Sequence, residues 1–341
     1  MFFPRLFTTV TLVAVVSLAV FWLSPWAGVL ATLLIAGLAA LATREFFALT
    51  TRLGLPGYPR LTMVLGVAQC LALGGVGLVF DLDRAAGPRA GSLREAVAQF
   101  ERALPPTRIA AQQSLAAWQQ IIPVACLLVL VGAAGVFAFR AADRATALKR
   151  LLTSIAGFIC ISGALGFALR LYYLQPGLTA ESVRTCRLLV IFPVLVTKAG
   201  DIGGYVVGSL TARRAGGNHK LVPSLSPKKS WEGLAGGLVF SLIMTCIIIL
   251  PAGGRLTLST AGGAEVALLS LATAMVLAGV MLVLGLAGDL MESLLKRAAD
   301  VKDSGSGLPG VGGTLDLLDS LLPVLPSFYV YIALVLVLSH G

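Results

Sequence analysis

Apolar runs long enough to cross a membrane recur along the chain and limit most strongly how it can fold. A helix of about 17 residues or more can span the hydrocarbon core of a bilayer and satisfies its own backbone hydrogen bonds there. Apolar residues make up 57% of the chain, too many for a water-soluble fold. The sequence therefore predicts an all-α, polytopic integral membrane protein with about nine transmembrane helices, at 7–23, 26–43, 61–80, 119–139, 151–174, 188–209, 234–250, 264–287 and 321–339.

The positions of the Lys and Arg residues predict how these helices are oriented. Eight of these residues lie in loops on one side of the predicted spans, whereas sixteen lie on the other side, at the N-terminus and in the loops at 44–60, 140–150, 210–233 and 288–320. Lys and Arg are enriched in cytoplasmic loops. We therefore expect a multi-pass protein of the inner (plasma) membrane, with its N-terminus in the cytoplasm and its C-terminus outside. The net charge of +10 is explained in this way, and no nucleic-acid partner is expected.

Two other features are assigned no chemistry. The long loop at 81–118 is predicted to be a solvated connector, with a short surface helix at 92–103. The five cysteines are scattered, and no Cys/His spacing of a metal site or disulfide framework is present.

The stretch at 288–320 departs most from the apolar pattern. It holds six acids and three bases in a chain in which only 12% of the residues are charged. Its first part, up to about Val301, is predicted to be helical and is followed by a glycine-rich loop. On a helix, Asp289, Ser293 and Lys296 are spaced i, i+4, i+7 and share one face. This face is a candidate site at the membrane surface.

The same stretch returns two acids at the start of the last span. If the loop folds back, Asp289 and Asp316 can meet, and two carboxylates beside phosphate groups are a usual way to hold Mg²⁺. Glycine-rich backbone can offer N–H donors to a phosphate. A structural interpretation stays open, because Asp316 and Asp319 also suit the first turn of a helix, with Thr314 as its cap.

Two upstream segments carry further polar residues. Lys198 and Asp201 lie within the sixth predicted span, where ionisable residues suggest a functional site, although a simple pair between them is the alternative. The segment at 226–233 has two adjacent lysines between hydroxyls, which suits a polyphosphate. Alternatively, those lysines are membrane anchors with Trp231 as an interfacial aromatic. Ser230 is a candidate cap of the seventh helix.

Together these residues resemble the integral-membrane CDP-diacylglycerol synthases, also called phosphatidate cytidylyltransferases. The segment at 226–233 is similar to one block of that family and the segment around Asp201 to another. The resemblance covers roughly 195–325. Two positions depart from the signature, since Val311 replaces a His and Leu317 an Arg. The C-terminal signature of the family is matched in spacing by Gly288-Asp289, Ser293, Lys296-Arg297, Lys302-Asp303, Pro309-Gly310, Gly312-Gly313, Asp316 and Asp319.

The resemblance implies the reaction of CTP with phosphatidic acid to give CDP-diacylglycerol and pyrophosphate, within phospholipid biosynthesis. It implies Mg²⁺ held by Asp289 and Asp316, leaves a second, monovalent cation open, and implies a homodimer among membrane lipids. The catalytic residues implied are Asp289, Ser293, Lys296, Asp316 and Asp319. The substrate-binding residues implied are Asp201, Lys220, Ser226, Lys228, Lys229, Arg297, Lys302 and Asp303.

Residues 1–180 are predicted to form N-terminal transmembrane helices, and 181–341 a C-terminal transmembrane catalytic region whose site faces the cytoplasm. Three alternatives remain open. The loss of the family's His and Arg favours a catalytically impaired relative that binds lipid phosphate or nucleotide. The ionisable residues within a span would suit a transporter, and a related enzyme would use another lipid phosphate or nucleotide.

Overall fold

The computed structural model of this protein describes residues 25–85, 106–174, 180–213, 217–259, 265–305 and 312–340. A π-helical segment, Phe158–Gly163, joins the helix Arg144–Gly157 to the helix Ala164–Tyr172. The elements in chain order are α1 (Pro25–Arg52), α2 (Pro59–Ala85), α3 (Pro106–Phe139), α4 (Arg144–Gly157), α5 (Ala164–Tyr172), α6 (Ala180–Thr211), β1 (Lys220–Val222), β2 (Ser226–Ser230), α7 (Trp231–Ile249), β3 (Arg255–Ser259), β4 (Glu265–Ser270), α8 (Leu271–Ala298), α9 (Thr314–Leu318) and α10 (Leu321–His340).

Eight helical stretches among the described residues are long and apolar enough to cross a membrane. They correspond to the predicted spans from 26–43 to 321–339, so the prediction of an all-α, polytopic membrane protein is confirmed. The predicted span at 7–23 and the predicted surface helix at 92–103 lie outside the described residues. The division of the chain at residue 180 stays a prediction, and the buried apolar core draws on residues from both sides of it.

Two short antiparallel hairpins interrupt the helices. β1 pairs with β2, and β3 pairs with β4. The start predicted for the eighth span, at 264, is therefore wrong, because 265–270 is strand β4 and its helix begins at Leu271. Both strands of the β3–β4 hairpin have buried leucines, Leu258 and Leu268 among them. The hairpin thus packs its apolar residues against the end of the helices.

Helices α6 and α7 pack closely through facing glycines. A Cβ atom added at Gly237 would lie 2.9 Å from the carbonyl oxygen of Gly200, and one added at Gly233 would lie 2.9 Å from that of Gly204. Small residues let membrane helices approach each other closely. The contact is reinforced by Ser241, whose hydroxyl donates to the Val196 carbonyl at 3.1 Å. This packing brings the hairpin β1–β2, which precedes α7, next to the cytoplasmic half predicted for α6.

Candidate active site

A cavity of about 470 Å³ lies at one end of the helices, where α6, the β1–β2 hairpin, α7, α8 and the start of the last helical segment meet. Its wall combines apolar and glycine surface with a dense set of charged groups. Eight of the predicted site residues contribute to it together with Lys198: Asp201, Ser226, Lys228, Lys229, Asp289, Lys296, Asp316 and Asp319. Three segments that are distant in sequence are therefore brought to one site.

Three carboxylates, from Asp289, Glu292 and Asp319, form a compact group that we call the open cluster. One oxygen of each lies within 4.8 Å of the others. Lys229 approaches Asp289, with 2.7 Å between its Nζ and Oδ2, and Ser293 donates weakly to Oδ1 of the same aspartate at 3.4 Å. Three negative groups at such distances repel each other unless cations balance them.

Glu292 adds an independent sign that the open cluster suits a cation. Its side chain is buried, with only 6% of the residue exposed. Its Oε2 accepts from Lys296 at 2.8 Å, but its Oε1 has no hydrogen-bond partner among the described residues. Buried polar atoms are rarely left unpaired. Carboxylate oxygens are the ligands that Mg²⁺ prefers, so the donor set and the orphaned oxygen both fit a divalent cation.

Asp316 has a different environment, which we call the Asp316 node. Its Oδ1 accepts from Lys296 at 2.5 Å. Its Oδ2 accepts from the backbone N–H groups of Ser304 and Gly313, at 3.0 and 2.8 Å, and from the Ser304 hydroxyl at 2.9 Å. Both oxygens are therefore engaged by the protein. The predicted metal pair of Asp289 and Asp316 stays a prediction, and this geometry favours Asp319 over Asp316 as the companion of Asp289.

Lys198 and Asp201 on α6 do form the pair that the sequence left open. The Lys198 Nζ lies 3.1 Å from Asp201 Oδ2 and donates to the Ser320 hydroxyl at 2.8 Å. That serine also contacts Asp201, at 3.2 Å, and its backbone N–H donates to Asp319. Because both charged residues also line the cavity, the pair is part of the site.

The β1–β2 hairpin carries the two adjacent lysines. Lys228 is exposed, whereas Lys229 is half-buried against Asp289. The predicted cap of α7 is confirmed, since the Ser230 hydroxyl accepts from the Gly233 N–H at 3.1 Å. His219 lies 2.7 Å from Glu232 through its Nδ1. This contact joins the residue before β1 to the first turn of α7.

Five predicted residues do not line the described cavity. Ser293 reaches it only through its contact with Asp289. The other four are exposed at the surface: Lys220, Arg297, Lys302 and Asp303. Their roles stay predictions. Of the two departures from the family signature, Leu317 is half-buried on α9, and Val311 lies outside the described residues.

Sequence reasoning missed Glu45 and Ser304. Ser304 lies in the predicted glycine-rich loop, and its hydroxyl lies within 3.0 Å of both Glu45 and Asp316. Glu45 is an acid within the long helix α1, and an ionisable residue in a membrane helix is itself a signal of function. The described backbone donors of the loop, which were expected to face a phosphate, instead face these two carboxylates.

Comparison with known proteins decides the family. The model of the Cytidylyltransferase family matches residues 93–335, which is more than two thirds of the chain. The chain belongs to this family. The resemblance seen in the sequence is thus confirmed, and the cavity that gathers the charged residues is the candidate active site of this family member.

Several similar proteins are named phosphatidate cytidylyltransferase. One from Mycobacterium tuberculosis (strain H37Rv) is 43% identical over 126 residues, 37% of this chain and 32% of that protein. One from Haemophilus influenzae is 37% identical over 143 residues, 41% of this chain and 44% of that protein. One from Bacillus subtilis is 39% identical over 145 residues, 42% of this chain and 47% of that protein. Each match spans less than half of the relative's length.

Proposed function

We propose that this protein is a phosphatidate cytidylyltransferase, which converts CTP and phosphatidic acid to CDP-diacylglycerol and pyrophosphate. The observation that carries the proposal is that two acids of the open cluster, Asp289 and Asp319, meet four lysines in one cavity at the end of membrane helices. A nucleoside triphosphate and a lipid phosphate together bring many negative charges to one place, and this cavity supplies cations and metal ligands for them. The names of the similar proteins support the same reaction.

Asp289 and Asp319, supported by Glu292, are the residues that would hold Mg²⁺. Their oxygens lie within 4.8 Å of one another, and Oε1 of Glu292 has no hydrogen-bond donor among the described residues. When bound, the metal would neutralise negative charge on phosphate oxygens. The assignment to Asp289 and Asp316, which the family resemblance implies, is the competing proposal. A second, monovalent cation stays an expectation from the resemblance.

The chain's own residues would act mainly by positioning and by charge. An oxygen of the lipid phosphate attacks the α-phosphorus of CTP and forms a new P–O bond, while the bond to the β-phosphate breaks and its electron pair leaves with pyrophosphate. The lipid phosphate is already anionic, so the attack needs no strong general base. Lys228, Lys229 and Lys296 would bind the triphosphate and stabilise the charge of the leaving pyrophosphate.

Lys198 would add positive charge to the cavity from α6. The family signature has an Arg where this chain has Leu317, so a cation is lost from α9. Lys198 reaches the start of the last helical segment from α6, through its 2.8 Å contact with Ser320. We propose that it partly replaces the missing Arg in balancing the lipid phosphate.

The cytoplasmic face is the proposed location of the site, because the loops that build it carry most of the Lys and Arg residues. CTP is available on that side. The proposed setting is the inner membrane, with phosphatidic acid entering from the surrounding lipid and with a homodimer as the expected assembly.

The test is transfer of label from α-³²P-labelled CTP into lipid by the purified protein in detergent–lipid micelles. We expect labelled CDP-diacylglycerol only when both phosphatidic acid and Mg²⁺ are present. Transfer to a different lipid phosphate, or from a different nucleotide, would identify a related enzyme. Binding of CTP by folded protein without any transfer would identify the impaired relative that Val311 and Leu317 leave open.

A further inference from the structure

We propose that Glu45 on α1 is a positioning residue that holds the Asp316 node in its working arrangement. Its kinetic consequences rest on the cytidylyl transfer proposed above, whereas its structural consequences follow from the contacts alone. Glu45 lies outside the segment that resembles the family in sequence, and it contacts the site across 259 to 270 positions of chain.

Glu45 is buried and its carboxylate is hydrogen-bonded to the segment around the Asp316 node. Only 8% of the residue is exposed. Its Oε1 accepts from the Thr314 N–H at 2.9 Å, and its Oε2 accepts from the Leu315 N–H at 2.8 Å and from the Ser304 hydroxyl at 3.0 Å. A buried carboxylate is unfavourable unless it is hydrogen-bonded. Among the described residues, all of its side-chain hydrogen bonds go to this one segment.

Two glycines leave room for the Glu45 carboxylate. A Cβ atom at Gly305 would lie 2.6 Å from Glu45 Oε1. A Cβ atom at Gly313 would lie 2.5 Å from Glu45 Oε2 and would collide with the Ser304 hydroxyl. Real Cβ atoms do not approach oxygen atoms so closely. The glycines at both ends of the loop thus allow α1 to reach the backbone next to Asp316.

Ser304 couples the two carboxylates directly. Its hydroxyl lies 3.0 Å from Glu45 Oε2 and 2.9 Å from Asp316 Oδ2. A serine hydroxyl has one proton to donate, so the two acids share it. A change at Glu45 therefore alters the hydrogen bond that Asp316 accepts from Ser304. Asp316 in turn holds Lys296 at 2.5 Å. The chain of contacts runs from a membrane helix to a lysine in the cavity.

Glu45→Gln tests the proposal with little change of shape. The amide NH₂ group cannot accept from the N–H and O–H donors that face it, so the segment at 304–316 should shift or loosen. We expect kcat for pyrophosphate release to fall by about tenfold or more with the KM for CTP changed by less than about threefold, since small misplacement of catalytic groups slows the chemical step strongly. Hydrogen exchange at the Thr314 and Leu315 amides should be faster.

Gln69→Leu is the matched control, because Gln69 is also buried and donates to the Ser162 carbonyl at 3.0 Å, away from the cavity. It should lower stability but leave kcat and the exchange at Thr314 as they are in the wild type. Ser304→Ala should act in the same direction as Glu45→Gln, and it keeps the test available if the first variant does not fold. In the double variant, the fold-decrease in kcat should be smaller than the product of the fold-decreases in the two single variants.

The proposal would be overturned if Glu45→Gln had the kcat and the amide hydrogen exchange of the wild type. It would also be overturned if the decreases in kcat of the two single variants multiplied fully in the double variant. If the wild type releases no pyrophosphate, the proposed function fails. In that case the exchange rates at Thr314 and Leu315 still decide whether Glu45 holds the segment.

Discussion

Asp316 and Asp319 lie three residues apart and yet have opposite surroundings. Asp316 accepts from Lys296, from two backbone N–H groups and from the Ser304 hydroxyl. Asp319 lies in the open cluster with Asp289 and Glu292, and among the described residues it accepts a hydrogen bond from the N–H of the neighbouring Ser320 alone. A carboxylate whose oxygens are already occupied is a poor choice for a metal ligand, whereas one among other carboxylates is a good one.

The comparison teaches that similar acids in one signature can have different tasks. We infer that the open cluster binds the cation and that the Asp316 node orients Lys296. Lys296 joins the two regions, because its Nζ contacts Glu292 at 2.8 Å as well as Asp316. A metal bound in the open cluster would thus also affect the interaction of Lys296 with Asp316.

The largest expected effect comes from Asp289→Asn. This change removes a proposed ligand and the partner of Lys229 at once, so we expect turnover to fall by about 1,000-fold, as for loss of a main electrostatic contact. Transfer of label from CTP into lipid measures it.

Asp300→Asn is the control for that variant. Asp300 is exposed just beyond α8, and it has a positive φ of 54°, a conformation that Asn tolerates well. Its turnover should match the wild type. If turnover were near normal in both Asp289→Asn and Asp300→Asn, the open cluster would have no role in the reaction.

A smaller effect is expected from the two lysines of the hairpin, and it should separate substrate binding from the open cluster. Lys228→Gln should raise the KM for CTP by about tenfold, the value of one charge-assisted contact, with no change in the Mg²⁺ requirement. Lys229→Gln should also change the Mg²⁺ requirement, because Lys229 contacts Asp289 at 2.7 Å.

Steady-state kinetics with varied CTP and Mg²⁺ measure both variants. Lys149→Gln, at an exposed position on α4, is the control for charge alone. An identical Mg²⁺ dependence in Lys228→Gln and Lys229→Gln would show that the Lys229 contact has no bearing on the metal.

The smallest effect is expected at Lys198. Lys198→Met should raise the KM for phosphatidic acid by about threefold to tenfold, since the lysine is partly exposed and solvent weakens its interactions. If Lys198 serves only to pair with Asp201, the Lys198→Met/Asp201→Asn double variant should regain the wild-type KM for phosphatidic acid. If it contacts the lipid phosphate, the double variant should stay impaired, as measured by kinetics with varied lipid in mixed micelles.

The helices were predictable because a bilayer demands long apolar runs, and eight of the predicted runs are helical. The hairpins were harder to predict, since β1 and β2 are short and polar and the leucines of β4 extend the apolar run of α8. The charged positions of the site followed from their clustering in a chain with few charges. Which acid faces which was not predictable, because it depends on how the loop after α8 folds back.

The contacts of Glu45 were not predictable either, because they join residues that are far apart in the sequence. Its contacts with Thr314 and Leu315 join residues 269 and 270 positions apart. No local pattern around Glu45 specifies such a partner, although an acid within a membrane helix is an unusual feature that could have been singled out. The fold of α9 onto α1 decides the contact.

Binding of Mn²⁺ in place of Mg²⁺, followed by electron paramagnetic resonance, tests most directly whether the open cluster holds the cation. The wild type, Asp319→Asn and Asp316→Asn would be compared in the same micelles. We expect Asp319→Asn to weaken binding by about 100-fold or more and Asp316→Asn by less than about tenfold, since loss of a ligand exceeds the effect of a supporting contact. The reverse order, with binding lost in Asp316→Asn and kept in Asp319→Asn, would contradict the division of tasks between the two acids.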